Sequence, residues 1–210
     1  MSSEALSKRA KWQDKAAKGG AHHEKTVEKI FQTYFSAVAT NYEFISKPTI
    51  LSQLFYEVDY EKNPETYTKP LQPKEGDIFY DPTSQKFMKM GPKKATPAKL
   101  GMIPDGMIRN KITGKAHILE EKNQNDAGNA HERGYRYDTE KIKTAIQKRL
   151  GMSGQPVSWI FGGSMTENTK YILEIQAHLP DNHYVLLKST VDKEKILIDW
   201  FNTVIQPLLD

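Results

Sequence analysis

Three residues of this chain have the types and spacing for one kind of chemistry. Asp105 follows Pro104, Glu120 lies 15 positions after Asp105, and Lys122 stands two residues beyond Glu120. Two hard carboxylates suit one or two Mg²⁺ ions, which bind oxygen and keep part of their water. A lysine beside them can lower the pKa of an attacking water or stabilise developing negative charge. Together these parts fit hydrolysis of a phosphodiester. Side chains alternate along a strand, so Glu120 and Lys122 share a face and Glu121 points the other way. Glu120 is therefore the expected ligand, and Glu121 is not expected in the same site.

Positioning these groups requires strands. Residues 107–112 and 116–121 read as two strands joined by a turn at Thr113-Gly114-Lys115, a hairpin in which Asp105 can meet Glu120. A helix follows, with Ile142, Ala145, Ile146 and Leu150 on one face and Gly151 as its stop. Residues 157–161 and 184–188 read as further strands, and 166–178 as helical. A helical crossover between the 116 and 157 strands implies a parallel pair.

Upstream, residues 21–39 carry Val27, Ile30, Phe31, Tyr34, Phe35 and Val38 at helical spacing, set off from a basic arm by Gly19-Gly20. Lys47-Pro48 suits the start of a helix bearing Leu54, Phe55 and Val58. The polar, proline-rich stretch from 60 to 76 reads as a loop, 77–80 and 86–90 as a small hairpin, and 91–99 as loop again. Helices first, then strand, strand, helix, strand, helix is an α/β order. The last helix shows Ile196, Leu197, Trp200, Val204, Ile205 and Leu208.

The composition bounds what else is feasible. At 210 residues, 38% hydrophobic and 27% charged, the chain can bury a core. It has no cysteine, which excludes a disulfide framework, a thiolate metal site and a Cys nucleophile. Nothing approaches the length of a membrane span, and the polar start from Met1 to Arg9 has no apolar signal core, so a cytoplasmic protein with no membrane partner is expected. The net charge of +4 is weak evidence for a polyanion, but its placement says more. Lys8, Arg9, Lys11, Lys15 and Lys18 face one acid, Asp14; Lys86, Lys89, Lys93, Lys94 and Lys99 face none across residues 86–99. Clustered lysines of this kind suit phosphates.

After Lys122 comes the run Gly128-Asn129-Ala130-His131-Glu132-Arg133. With Pro104-Asp105 and Glu120-x-Lys122, it resembles the EcoRI/MunI branch of Type II restriction endonucleases, within the PD-(D/E)XK nuclease superfamily, whose signature is G-N-A-x-E-R. Leu6-Ser7, Arg9 and Trp12-Gln13 near the start, the Lys47-Pro48 to Phe55-Tyr56 spacing and the closing Leu208-Leu209-Asp210 are similar to MunI members.

The resemblance implies an α/β, PD-(D/E)XK restriction-endonuclease-like fold with a central mixed sheet flanked by helices. Residues 1–210 would form a single endonuclease domain, with a basic arm at 1–20, a loop or hairpin insertion at 60–100, and the catalytic and recognition core at 101–165. It implies Asp105 and Glu120 as Mg²⁺ ligands and Lys122 as the catalytic lysine. Asn129, Glu132 and Arg133 would read bases of double-stranded DNA in the major groove, where Asn suits an adenine edge and Arg an acceptor edge. Gly128 would let the backbone approach DNA, with Ala130 and His131 in positioning roles. Glu24 or Glu28 is either an extra active-site acid or a surface charge.

The expected target is a palindrome containing AATT, hence a homodimer, with a methyltransferase as functional partner only. Two departures leave the outer base pair open. Ala127 stands where the branch has Arg, and only residues 123–127 separate the catalytic strand from the Gly-Asn-Ala run. Either the bare four bases are read, or the 60–99 region replaces the outer contacts. A repair or junction nuclease of the same fold and a non-catalytic DNA-binding module remain as alternatives.

Overall fold

The computed structural model describes residues 3–48, 53–98, 103–123, 140–163, 172–173, 176, 182–187 and 192–210. Its centre is a five-stranded mixed sheet in the order β1-β5-β6-β7-β8. The strands are β1 (Tyr42–Ser46), β5 (Gly106–Asn110), β6 (Ala116–Asn123), β7 (Val157–Gly162) and β8 (Tyr184–Leu187). β1, β5 and β6 pair antiparallel; β6, β7 and β8 pair parallel. The helices are α1 (Ser3–Ala37), α2 (Leu54–Tyr60), α3 (Glu140–Leu150), α4 (Lys193–Trp200) and α5 (Gln206–Leu209). Helix α3 lies in the connection between parallel β6 and β7, as the crossover reading requires.

The expected hairpin of β5 and β6 forms because its turn is held from three sides. Gly114 N–H donates to the Asn110 carbonyl, and the Asn110 side-chain oxygen accepts from Ile112 N–H at 2.8 Å. Asn110 and Thr113 side chains both donate to the Leu209 carbonyl, so the chain's last turn clamps the hairpin. Register follows: Gly106 faces Leu119 and Met107 faces Ile118.

The core is aromatic where α1 meets the sheet. Phe31, Phe35, Tyr42 and Phe201 form contacting rings with centroids 5.0–6.3 Å apart. Each fully buried ring of this kind contributes about 1.5–3 kcal/mol. Phe201 enters at the first residue of a π-helical segment, Phe201–Ile205, between α4 and α5. Phe44 covers Gly106, where an added Cβ would lie 2.5 Å from the ring, so glycine lets β1 close on β5 just beside Asp105.

Three expectations change. The first helix does not begin after Gly19-Gly20; α1 runs through both from Ser3. Interior glycines cost about 1 kcal/mol each, and the Asn123 amide bonded to the Gly19 carbonyl at 2.9 Å helps offset that. β1 occupies residues read as neither strand nor helix, because its partner β5 is some sixty residues away. The 91–99 stretch contains a third short strand, β4 (Ala95–Pro97), which joins β2 (Ile78–Asp81) and β3 (Lys86–Met90) in a separate sheet. Most of the expected helix at 166–178 lies outside the described residues. Among the described residues no helix is long and apolar enough to cross a membrane.

Candidate active site

Asp105 sits at the rung just before β5, half-buried, and is stitched to both neighbouring strands. Its carbonyl accepts from Lys47 N–H at 3.1 Å, one residue past β1. Its carboxylate accepts from Glu121 N–H at 2.8 Å on β6. The paired register of β5 and β6 begins at Gly106 and Leu119, so Asp105 lies one residue before the ladder, level with Glu120 and Glu121. Two elements far apart in sequence therefore fix the aspartate that the motif requires.

Glu120, Glu121 and Lys122 follow one another on β6, opposite Trp159, Ile160 and Phe161 of β7. Glu120 and Glu121 are both buried, and Lys122 is half-buried. Burying a carboxylate is costly unless it is paired or keeps its proton. Glu121 keeps its proton: burial first, then the charges of Asp105, Glu24, Glu120 and Glu28, push its pKa up to about 9. Its Oε2 has no hydrogen-bond partner.

Helix α1 brings the remaining groups. Glu24 and Glu28, four residues apart, lie on a helix face within electrostatic reach of Glu121. Glu24 is ion-paired with Lys47 at 2.7 Å. That contact raises the Lys47 pKa, burial opposes it, and the Asp105 and Glu121 charges add to it. Lys47 has a backbone φ of 44°, a conformation uncommon for a non-glycine residue. His22 is exposed, whereas His23 is buried, with its Nε2 3.9 Å from Glu121 Oε2. Burial holds the His23 pKa below its ordinary value, helped by the Lys193 charge.

The seat of α1 depends on Gly162 at the end of β7. A Cβ there would lie 2.7 Å from His23 Nδ1 and 2.9 Å from the Asn123 side-chain oxygen. Only a glycine admits the imidazole so close to the strand. The acid-bearing stretch of α1 is thus held against the ends of β6 and β7.

Of the residues singled out from the sequence, Asp105, Glu120, Lys122, Glu24 and Glu28 lie in this region. Gly128, Asn129, Ala130, His131, Glu132 and Arg133 lie outside the described residues. Three neighbours were not foreseen. Glu121 was set aside on strand alternation, yet Asp105 lies beside it. Lys47 was read only as a helix start, and His23 was given no role. The one sequence signal for His23 was its helical phase with Val27 and Phe31, both buried on α1.

Among the described residues no three His, Asp or Glu side chains converge as a ready-made metal cage. A site that supplies one or two carboxylates and leaves other positions to water and phosphate oxygens is the arrangement Mg²⁺ favours. The hard-oxygen donors Asp105, half-buried, and Glu120, buried, suit that arrangement.

The comparisons agree with the motif. The family model described as Type II restriction enzyme MunI matches residues 1–210. The crystal structure of MunI restriction endonuclease in complex with cognate DNA is similar in fold, with a TM-score of 0.60 and 20% sequence identity, over 92% of this chain and 96% of that one. No curated protein matches the chain. With the family model covering its whole length, the chain belongs to the MunI family of Type II restriction enzymes, site-specific hydrolases of DNA.

Proposed function

We propose that this enzyme cuts double-stranded DNA at a palindromic site containing AATT, using Mg²⁺ held by Asp105 and Glu120. The observation that supports the catalytic assignment is the Asp105 carboxylate bonded to Glu121 N–H, one step beyond the Gly106–Leu119 pair, on the strand that carries Glu120 and Lys122. Bound there, Mg²⁺ would polarise the scissile phosphate and supply a water of lowered pKa. Asp105 and Glu120 orient that ion. Lys122 places its ammonium where negative charge grows on the phosphate or the attacking oxygen. Burial along β6 keeps bulk water from the carboxylates.

Base reading falls to Asn129, Glu132 and Arg133, with Gly128 admitting the backbone to the groove and Ala130 and His131 positioning the run. Support comes from the G-N-A-H-E-R run itself and from a structural neighbour solved with its cognate DNA. A palindrome calls for two catalytic centres, one per strand, and hence a homodimer in the cytoplasm. A methyltransferase would protect host DNA without forming a physical complex.

The test is incubation of purified protein with plasmid DNA in Mg²⁺ or in EDTA, followed by sequencing of the ends. Discrete fragments that need Mg²⁺ and carry AATT at the junction are expected. Cutting only of branched DNA, or binding without cutting, would overturn the proposal. A fixed base pair flanking AATT would refute the bare four-base site.

A further inference from the structure

We infer that the small sheet β2–β3–β4 is a second DNA-contact surface, which grips phosphates of the duplex flanking the recognition site without reading bases. This rests on the proposal that the enzyme cuts duplex DNA, and it assigns a task to a part that does not supply the catalytic residues.

The small sheet has its own core. Tyr56 and Tyr60 of α2, Tyr67, Tyr80 and Phe87 pack together, with ring centroids 5.0–6.2 Å apart. It is tied down by Gln53, whose amide nitrogen donates to the Phe87 and Ala98 carbonyls while its oxygen accepts from Phe87 N–H. Helix α2 in turn joins the main body through an ion pair of Glu57 with Arg149 of α3. The sheet is therefore a held platform rather than a trailing loop.

Its charge is one-sided. At the end bearing the β3–β4 turn, Gly76 N–H bonds to the Met90 carbonyl and Gly91 N–H to the Lys94 carbonyl. That end gathers Lys74, Lys89, Lys93 and Lys94, all exposed. Glu75 is exposed beside Lys74 at the same end; Asp77 accepts from Lys74 N–H, and Asp81, at the opposite end, accepts from Thr83 and Ser84 N–H and the Ser84 hydroxyl. Among the described residues Lys89, Lys93 and Lys94 make no ion pair. Residues 82–98 hold no acid, so Lys89, Lys93 and Lys94 on this turn match a row of phosphates and carry no geometry for telling bases apart.

The connection limits the distance. Lys94 lies eleven positions before Asp105, so the two are at most roughly 36–40 Å apart. The limit equals about one helical turn of duplex, so the connection allows contact with the flanks of a four- or six-base site.

The experiment compares the wild-type protein with the combined Lys74→Gln, Lys89→Gln, Lys93→Gln and Lys94→Gln variant. Binding is measured in Ca²⁺ to AATT-centred duplexes with short flanks of about three base pairs and long flanks of about twelve. Circular dichroism verifies that both proteins are folded. For the long duplex, the variant is expected to bind about ten- to a hundredfold more weakly at low salt. Its salt slope should fall by about 3, and the short duplex should be bound equally by both proteins. Unchanged long-duplex binding, or equal loss on both duplexes, overturns the inference while leaving the DNA-cutting proposal standing. A wild-type protein that neither binds nor cuts either duplex overturns that underlying proposal instead.

Discussion

Lowering the pH from 7 to 5 should cost this protein about 2 kcal/mol of stability through one residue, His117. The imidazole is fully buried at the start of β6. Its Nε2 contacts Ser158 Oγ at 2.8 Å, and that hydroxyl contacts His183 Nδ1 at 3.0 Å. Nδ1 of His117 has no partner, so a proton added there would be a buried charge without a counter-ion. Burial, with a smaller contribution from His183, pushes the His117 pKa down from 6.5 to about 3. The unfolded chain therefore takes up its proton first. This contribution to stability is complete above about pH 6.5, declines as pH falls, and is fully lost only below about 3. Between pH 7 and pH 5 the difference in proton binding amounts to about 2 kcal/mol, or about 4–8 °C in Tm for a chain of this size.

Other groups move with pH too. His23 and His183 are shifted in the same direction as His117, and Glu121, pushed up to about 9, in the opposite one. The measurement is therefore a difference: urea unfolding of the wild type and of His117→Gln at both pH values, in EDTA. Glutamine can still reach the Ser158 hydroxyl, and any packing cost it brings does not depend on pH. The variant should lose about 2 kcal/mol less than the wild type. Equal losses in the two proteins would show that the imidazole titrates normally and that its burial exerts no such penalty.

Three other outcomes are expected. Lys122→Ala should abolish cleavage while keeping site-specific binding in Ca²⁺ by gel shift; a fully active variant refutes its catalytic role. Asn129→Ala should reduce discrimination at one base pair by about 1–3 kcal/mol if it makes a bidentate base contact, read from binding to single-substitution duplexes. Gly162→Ala puts a methyl 2.7 Å from the His23 ring and should destabilise the protein by about 1–3 kcal/mol. His23→Ala, combined with it, should recover part of that loss in thermal unfolding, and no recovery would show that the two positions do not meet.

Much of the hairpin that carries the candidate site was legible in the residues themselves. Asp105, Glu120 and Lys122 stand at spacings a hairpin can align, and Thr113-Gly114-Lys115 marks its turn. These features are local, so alternation and turn chemistry were enough to pair β5 with β6. The helix α3 and the parallel β6–β7 pair followed from periodicity and connection length in the same way. The type of chemistry was legible only once the Gly128–Arg133 run joined Asp105, Glu120 and Lys122, through the family resemblance they carry together.

Tertiary structure decided which side chains share the site. Strand alternation set Glu121 apart from Asp105, but Asp105 lies one residue before β5, where its carboxylate accepts from Glu121 N–H. Lys47 comes beside the acids only because β1 pairs with a strand some sixty residues later. His23 is buried because Gly162 leaves a hollow above β7, and α1 continues through Gly19-Gly20 to fill it. Each depends on contacts between residues distant in the chain. Hydrophobic period and turn signals report only on neighbours within a few residues, so such contacts leave little trace until the elements pack.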